Sequence, residues 1–600
     1  MLKPDYPRPQ LERENNWLNL NGEWDFEFDD LNVGKKEGWF KSSRKLKDKI
    51  QVPFAYQTKL SGIHSASFHD YVWYERTFEV PHYMKNQRII LHFGAVDYRA
   101  WVYVNEQLVG FHEGGHTSFS FDITDELKEE GEQILTVRVH DPSTDETIPR
   151  GKQFWEEESA GIWYTRTTGI WQTVWIEAVC ETHIKRLRFT PDFDSGDVVI
   201  EVEAEGDYFD KTVDIDIEFK GITVAEVSVI LLERYARTSI NLFNHKIFRT
   251  EFHGQGWSWT PETPNLFDVT VGLRDAFLRL DEVKSYFGMR KVHTENGMFY
   301  LNNKPYYQKL VLDQGYWPEG LLTAPTDEAL KKDIELAKEM GFNGCRKHQK
   351  VEDPRFMYWA DKLGYLVWGE CAAPTTFTEA AVGRITKEWL EILERDYNHP
   401  SIVAWVPINE SWGVPHVCNN EAQKHHTLGL YYTVKSLDPT RLVISNDGWE
   451  MTKTDICAIH NYNHGHADET QKYEYYKDVL STKEKILSAK PADRNIYTGG
   501  FHHEGEPILL TEFGGIGFKA GLTLGWGYTS VSSAEDYLAD YKRVMEAVFA
   551  SNVLHGYCYT QLTDVEQEIN GILTYDRVPK CDLKEIHKLN NLWRKPTVEQ

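Results

Sequence analysis

The sequence predicts two β-sandwiches followed by a (β/α)8 barrel. Three observations point there. Short strand-like runs between turns fill the first part of the chain. Cleaner alternation of apolar and polar residues follows for about a hundred residues, and then apolar runs alternate with amphipathic helices over about three hundred. The 600 residues exceed one ordinary core, so about three domains are expected.

Residues 1–180 form the first unit. Asn21–Phe26, Val72–Val80 and Arg99–Asn105 read as short strands at regular spacing, and long helical periodicity is absent, as in a sandwich. Residues 181–284 carry runs such as Val198–Ala204 and Val213–Phe219, and some seven of these over about a hundred residues fit a small immunoglobulin-like sandwich. Residues 285–600 change character. Their strands are placed at Tyr307–Asp313, Gly344–His348, Leu366–Glu370, Ile402–Asn409, Leu442–Asn446, Ile456–Asn461, Ile508–Glu512 and Gly556–Thr560. Helices are placed at Asp327–Met340 behind Thr326 as N-cap, Thr378–Tyr397, Glu421–Leu437 and Ser533–Ser551. About eight strands alternating with helices is the count of a (β/α)8 barrel.

Composition narrows the function. Hydrophobic residues at 41% and charged residues at 26% describe a folded chain. With 66 basic against 92 acidic residues, the net charge is −26. That disfavours nucleic acid held through phosphates and adsorption to an anionic membrane. No apolar run approaches the ~20 residues of a membrane span. Seven scattered cysteines without a CxxC give no disulfide framework or zinc spacing, and the first residues lack the apolar core of a secretory signal. The expectation is a reduced, cytoplasmic protein with no metal and no organic cofactor. The 20 Trp and 31 Tyr suit stacking on sugar rings, and equally suit the cores of all-β domains.

In a (β/α)8 barrel the active site lies at the C-terminal ends of the strands. Two apolar runs there stop at a glutamate: Ser401–Asn409 before Glu410, and Pro507–Thr511 before Glu512. Hydrolysis of a glycosidic bond needs a proton donor at the leaving oxygen and a carboxylate facing the anomeric carbon. A separation of ~5 Å makes the second a nucleophile and retains configuration. Like charges so close push one pKa up and keep a proton on the donor. Asn409 has an amide suited to a sugar 2-OH. Ordinary strand-end ion pairs would also place acids at these positions.

Several segments in order resemble glycoside hydrolase family 2, the group of β-galactosidases, β-glucuronidases and β-mannosidases, over nearly the whole chain. Asp396-Tyr397-Asn398-His399-Pro400-Ser401-Ile402, then Trp405 and Asn409-Glu410, is similar to that family's acid/base signature. Thr511-Glu512-Phe513-Gly514 resembles its nucleophile segment. Trp101–Asn105, Gly114-Gly115-His116 and Gly169-Ile170-Trp171 resemble its N-terminal sugar-binding-like sandwich, and Asn302–Pro305 the start of its barrel. The resemblance implies a jelly-roll sandwich, an immunoglobulin-like domain and a catalytic TIM barrel. It implies Glu410 as acid/base, Glu512 as nucleophile, Asn409 on the sugar, a glycoside or oligosaccharide substrate and exo action. The sandwiches are expected to buttress the barrel, with a homo-oligomer possible.

Departures bear on the sugar. Arg346 matches the family at strand two, but Lys347-His348-Gln349-Lys350 does not follow its pattern. Strand eight ends near Tyr559 where the family usually has Trp. Gln567-Glu568-Ile569-Asn570-Gly571 stands where glucuronidases carry Asn-x-Lys for a sugar carboxylate. β-Galactosidase is the leading expectation, with an arabinofuranose- or galactofuranose-type substrate as the alternative and β-mannosidase and β-glucuronidase below. Outside the enzymes, the rival is a catalytically silent carbohydrate-binding protein. By position, Asp313, Arg346, His348, Glu370, Asp447, Tyr462 and Trp526 are further candidates for substrate contact, and His460 shares the end of strand six. His112 and His116 are spaced like a metal pair, but Gly114-Gly115 between them reads as a turn.

Overall fold

The computed structural model describes residues 6–249, 256–518 and 525–592. The first sandwich sets a six-stranded sheet, with Tyr71–Phe78 and Gln133–His140 at its centre, against a four-stranded sheet centred on Val174–Val179 and Arg88–Phe93. Its pairings are antiparallel, and Trp24, Phe26, Val72, Tyr74, Val102, Val137 and Ile176 fill the space between. The second sandwich pairs three strands with four, seven in all, as an immunoglobulin-like domain requires. In Thr212–Phe219 the residues Val213, Ile215, Ile217 and Phe219 face the core, while Asp214, Asp216 and Glu218 face outward. That is the strand period of two.

The barrel strands are β1 (Gln308–Asp313), β2 (Gly344–Lys347), β3 (Leu366–Glu370), β4 (Ile402–Val406), β5 (Leu442–Val443), β6 (Cys457–His460), β7 (Ile508–Glu512) and β8 (Leu554–Tyr559). Their pairings are parallel, in the order β5-β4-β3-β2-β1-β8-β7-β6. Gly448, just past β5, bridges Ile459 of β6 and closes the ring. β4 is shorter than its apolar run because Pro407 has no N–H to continue the ladder. Glu410 therefore lies on a turn four residues beyond the strand, a correction to its expected place at the strand end.

The four expected helices are present as α1 (Asp327–Glu339), α2 (Glu379–Asp396), α3 (Glu421–Leu437) and α4 (Ala534–Ala550). Side chains of Thr326, Thr378, Asn420 and Ser533 accept hydrogen bonds from the first-turn N–H groups. Thr378 and Ser533 are thus extended caps, each contributing about 1 kcal/mol, and not first helical residues. Among the described residues, no helix is long and apolar enough to cross a membrane.

Candidate active site

Four of the strands deliver a polar group to the mouth of the barrel at or next to their C-terminal ends. β7 ends on Glu512 and β6 on His460, β3 ends on Glu370, and Arg346 lies one residue before the end of β2. Asn409 and Glu410 occupy the turn after β4. Glu410 and Ser411 adopt left-handed backbone angles, φ 51° and 59°, which cost a non-glycine residue roughly 1–2 kcal/mol each. The turn is clamped by Glu410 N–H on the Asp447 carbonyl at 2.8 Å, by Ser411 N–H on Asn446 Oδ1 at 2.9 Å, and by the Ser411 hydroxyl on Glu450 at 2.6 Å. A carboxylate oxygen of Glu410, one of Glu512 and a ring nitrogen of His460 lie within 4.8 Å of one another. That is the spacing of a retaining carboxylate pair.

Arg346 is the cation under this cluster. Fully buried, its guanidinium reaches Glu512 at 3.0 Å, Glu370 at 2.9 Å and Asp447 at 3.1 Å. It also donates to Asn409 Oδ1 at 2.9 Å and to the Thr511 carbonyl at 3.0 Å. Burial opposes its charge, yet Asp447, Glu370 and Glu512 hold its pKa well above the ordinary range. His460 follows the same logic. Burial pulls it down, but Glu512, Asp447 and Glu410 outweigh that and raise it to about 10. Its Nδ1 lies 2.8 Å from Glu410 and 3.4 Å from Glu512, and its Nε2 lies 3.0 Å from Asp447. Glu512 moves the opposite way. Burial raises its pKa, but His460, Arg346, His348 and the Tyr462 hydroxyl, which donates at 2.7 Å, hold it down at about 2.

The other predicted residues divide by what they have left to offer. Asn409 Nδ2 and His348 Nε2 have no partner among the described residues, and Glu410 Oε2 is likewise free while Oε1 meets His460. Asp313, Glu370 and Asp447, expected to touch sugar, have their oxygens engaged by protein. Asp313 takes Lys347 at 2.8 Å and the Gly315 N–H at 2.9 Å. Glu370 takes Arg346, the Gln349 N–H and His348. Asp447, wholly buried, takes His460 and the Thr511 hydroxyl at 2.5 Å on Oδ1, while Oδ2 meets Arg346 at 3.1 Å as an ion pair without a hydrogen bond. These three carboxylates hold the cations in place. Trp526 spends its indole N–H on the Gly161 carbonyl at 2.9 Å and lies edge-on to Tyr528. Tyr559, near the place where the family usually has Trp, points to the outside of the barrel, where its hydroxyl lies 3.2 Å from that of Tyr537 on α4.

The central position of His460 exceeds what the sequence suggested. Tyr528 and Thr560 are additions. Tyr528 stacks on Tyr462 at 3.5 Å, and the Thr560 hydroxyl lies 2.9 Å from that of Tyr462. The Trp526-Gly527-Tyr528 run marked the loop but not which ring would reach inward. His112 and His116 go to different surroundings, stacking on Phe119 and meeting Trp171 edge-on. Glu410, His460 and Glu512 are close enough to converge on one cation. Such a cation would have to displace the proton that Glu512, Asp447 and Glu410 stabilise on His460.

Comparison with known proteins agrees with this architecture. Residues 18–168 match the pattern "Glycosyl hydrolases family 2, sugar binding domain", residues 182–290 "Glycosyl hydrolases family 2", and residues 292–593 "Glycosyl hydrolases family 2, TIM barrel domain". A β-galactosidase of Thermoanaerobacter pseudethanolicus is 28% identical over 66% of this chain, but the match spans only 52% of that protein. A β-glucuronidase of Streptococcus agalactiae is 22% identical over 97% of both chains. The crystal structure of Ruminococcus gnavus β-glucuronidase shares the fold with a TM-score of 0.77 at 20% identity, over 98% of this chain and 100% of that one. With all three domains matched in order, the chain belongs to glycosyl hydrolases family 2.

Proposed function

We propose that the protein is a retaining exo-glycosidase, with Glu410 as acid/base and Glu512 as nucleophile. The observation carrying this reading is the pair of carboxylates within 4.8 Å across the barrel mouth, in unlike surroundings. Glu512, kept ionised by Arg346, His460 and Tyr462, is poised to attack the anomeric carbon. Glu410 keeps one oxygen free of protein partners, as a donor to the leaving oxygen needs. A glycosyl-enzyme forms as the leaving group takes the proton. Water, deprotonated by Glu410, then releases the sugar with retained configuration. Asn409, with its amide oxygen fixed by Arg346, presents Nδ2 to a ring hydroxyl.

Exo action is supported by a segment of the first sandwich that closes one side of the mouth. Gln567 Nε2 donates to the carbonyls of Gly161 and Trp163 at 2.9 and 2.8 Å, and the Thr165 N–H donates to Glu566 at 3.0 Å. A neutral sugar, galactose first, is favoured by charge. Glu370, Glu410, Asp447 and Glu512 surround Arg346 and His460, so both cations are already engaged by protein acids and neither is left for a sugar carboxylate. In the stretch Gln567–Gly571, where glucuronidases carry Asn-x-Lys, there is no lysine, and Glu568 is buried and accepts from Tyr164 at 2.6 Å. β-Glucuronidase is the second reading, because the relative matching nearly end to end carries that name.

The test is nitrophenol release from para-nitrophenyl galactopyranoside, glucuronide, mannopyranoside, arabinofuranoside and galactofuranoside, with Glu512→Ala alongside. Release from the galactoside, lost by a factor of about 10⁴ or more in the variant, is the expected result. Selective release from the glucuronide replaces the sugar assignment. No release from any glycoside by the wild type overturns the enzyme reading in favour of a binding protein.

A further inference from the structure

Four large aromatic side chains stay partly exposed in one place, one of them on the turn that carries Glu410. Trp412 lies two residues past Glu410, and its ring meets that of Trp163 from the first sandwich with centroids 4.8 Å apart and planes at 78°. Trp155 packs edge-on to Trp163 at 4.9 Å, and Phe154 lies parallel to it at 6.4 Å. None of the four is fully buried. Apolar surface left in water as a contiguous patch marks a place where something binds.

The patch is held rigidly. Gly151 takes a left-handed conformation (φ 59°) so close to the Gln349 carbonyl that a Cβ there would lie 2.3 Å from it. Its N–H donates to the Ala373 carbonyl of the barrel at 3.1 Å. Farther along, Trp526 and Gln567 both donate to the Gly161 carbonyl at 2.9 Å, and Tyr164 donates to Glu568 at 2.6 Å. Contacts run around the mouth from one glutamate to the other: Glu512 to Tyr462, Tyr462 stacked on Tyr528, Tyr528 against Trp526, Trp526 to Gly161, and Trp163 against Trp412 beside Glu410. In this series of contacts the tryptophan pair comes at the end nearer Glu410, since Trp412 lies on the same turn two residues on, while Tyr462, Tyr528 and Trp526 stand between the pair and Glu512. The leaving group departs on the side of the proton donor.

We propose that Trp163 and Trp412 form the subsite for the leaving group and select one with a flat ring face, an aryl group or a second pyranose. The inference rests on Glu410 being the proton donor. The C–H face of a pyranose and the face of an aryl ring offer the same apolar plane to an indole. A short alkyl group offers none. Glu156, Glu157 and Glu158, exposed next to Trp155, set the rim against anionic leaving groups.

The experiment compares kcat/KM for the phenyl glycoside, a disaccharide and the methyl glycoside of the sugar the wild type accepts. The enzymes are wild type, Trp163→Ala, Trp163→Phe and Trp412→Ala, with thermal melts on each. The expected result is a fall of about three- to tenfold in the ring-to-methyl ratio for the alanine variants, largely restored in Trp163→Phe. Loss with phenyl alone or with the disaccharide alone supports the subsite and names its ring. Trp163 sits on a surface segment, so its variants carry the test even if Trp412→Ala does not fold. An unchanged ratio in active, folded variants overturns the subsite and leaves the glycosidase standing. A wild type inactive on every glycoside overturns both.

Discussion

His460 sets the charge state of the site because three carboxylates converge on one buried imidazole. Its pKa rises from an ordinary 6.5 to about 10, against burial, through Glu512, Asp447 and Glu410. Glu512 falls from 4.5 to about 2, again against burial, through His460 and Arg346. The consequences for stability have opposite signs. A raised histidine contributes stability that is full below pH 6.5 and lost as pH climbs to about 10. A lowered carboxyl contributes stability that is full above pH 4.5 and lost as pH falls to about 2. The cluster is therefore most stabilising between 4.5 and 6.5. Removing the imidazolium in His460→Asn takes away a cation that keeps Glu512 ionised. The acid limb of kcat/KM against pH should move upward by about one unit or more. The decline in melting temperature toward about pH 10 should flatten in the same variant. Rate profiles and melts across that range check both, and an acid limb that stays put removes His460 from control of Glu512.

At the scale of the element, β2 matters most, because it delivers Arg346 beneath Glu370, Asp447 and Glu512 at once. Breaking a buried network by removing one partner costs about 3–5 kcal/mol, since the remaining charges have no water to turn to. Arg346→Met should lose about that much in urea unfolding, and Arg346→Lys should lose most of it as well. An ammonium cannot span the fork from Glu370 and Asp447 to Glu512 and Asn409. A methionine variant as stable as wild type would show that these carboxylates do not need the guanidinium. Much of this layer was legible in the sequence. Apolar runs ending in Asp313, Glu370, His460 and Glu512 marked the strands, and Thr326 marked a helix start. What escaped has physical causes. Barrel strands are buried on both faces, so a near-continuous apolar run does not reveal that Tyr559 faces α4 and not the mouth. The backbone after Pro407 bends through two left-handed residues that carry no glycine to announce them. Trp163 meets Trp412 from another domain, which no local periodicity encodes.

For the whole molecule, the first sandwich and the barrel are joined by polar contacts: Arg384 with Asp145 at 3.1 Å, the Thr117 hydroxyl with Glu391 at 2.6 Å, and the Thr323 hydroxyl with the Trp171 carbonyl at 2.7 Å. One acid at this junction works against the assembly. Glu388 of α2 is buried, receives only a long 3.3 Å hydrogen bond from the Gly115 N–H, and leaves Oε2 without a partner. Burial first, then the neighbouring Asp97, raise its pKa well above the ordinary 4.5, with Glu391 adding and Lys387 opposing. A carboxyl whose pKa is raised in the folded state contributes stability only at low pH, and that contribution drains away as pH rises through the folded value. Near neutrality Glu388 therefore costs the protein either a buried charge or a captured proton, whereas an amide of the same shape costs neither. Glu388→Gln should stabilise the protein by about 1–3 kcal/mol near neutral pH, an advantage that shrinks toward pH 4.5, where the carboxyl takes its proton in the unfolded chain as well as in the folded one. Parallel thermal melts at the two pH values read the difference. A variant that melts lower than wild type near neutrality would mean that the junction uses Glu388 as an anion, and that the pairing of sandwich and barrel depends on it.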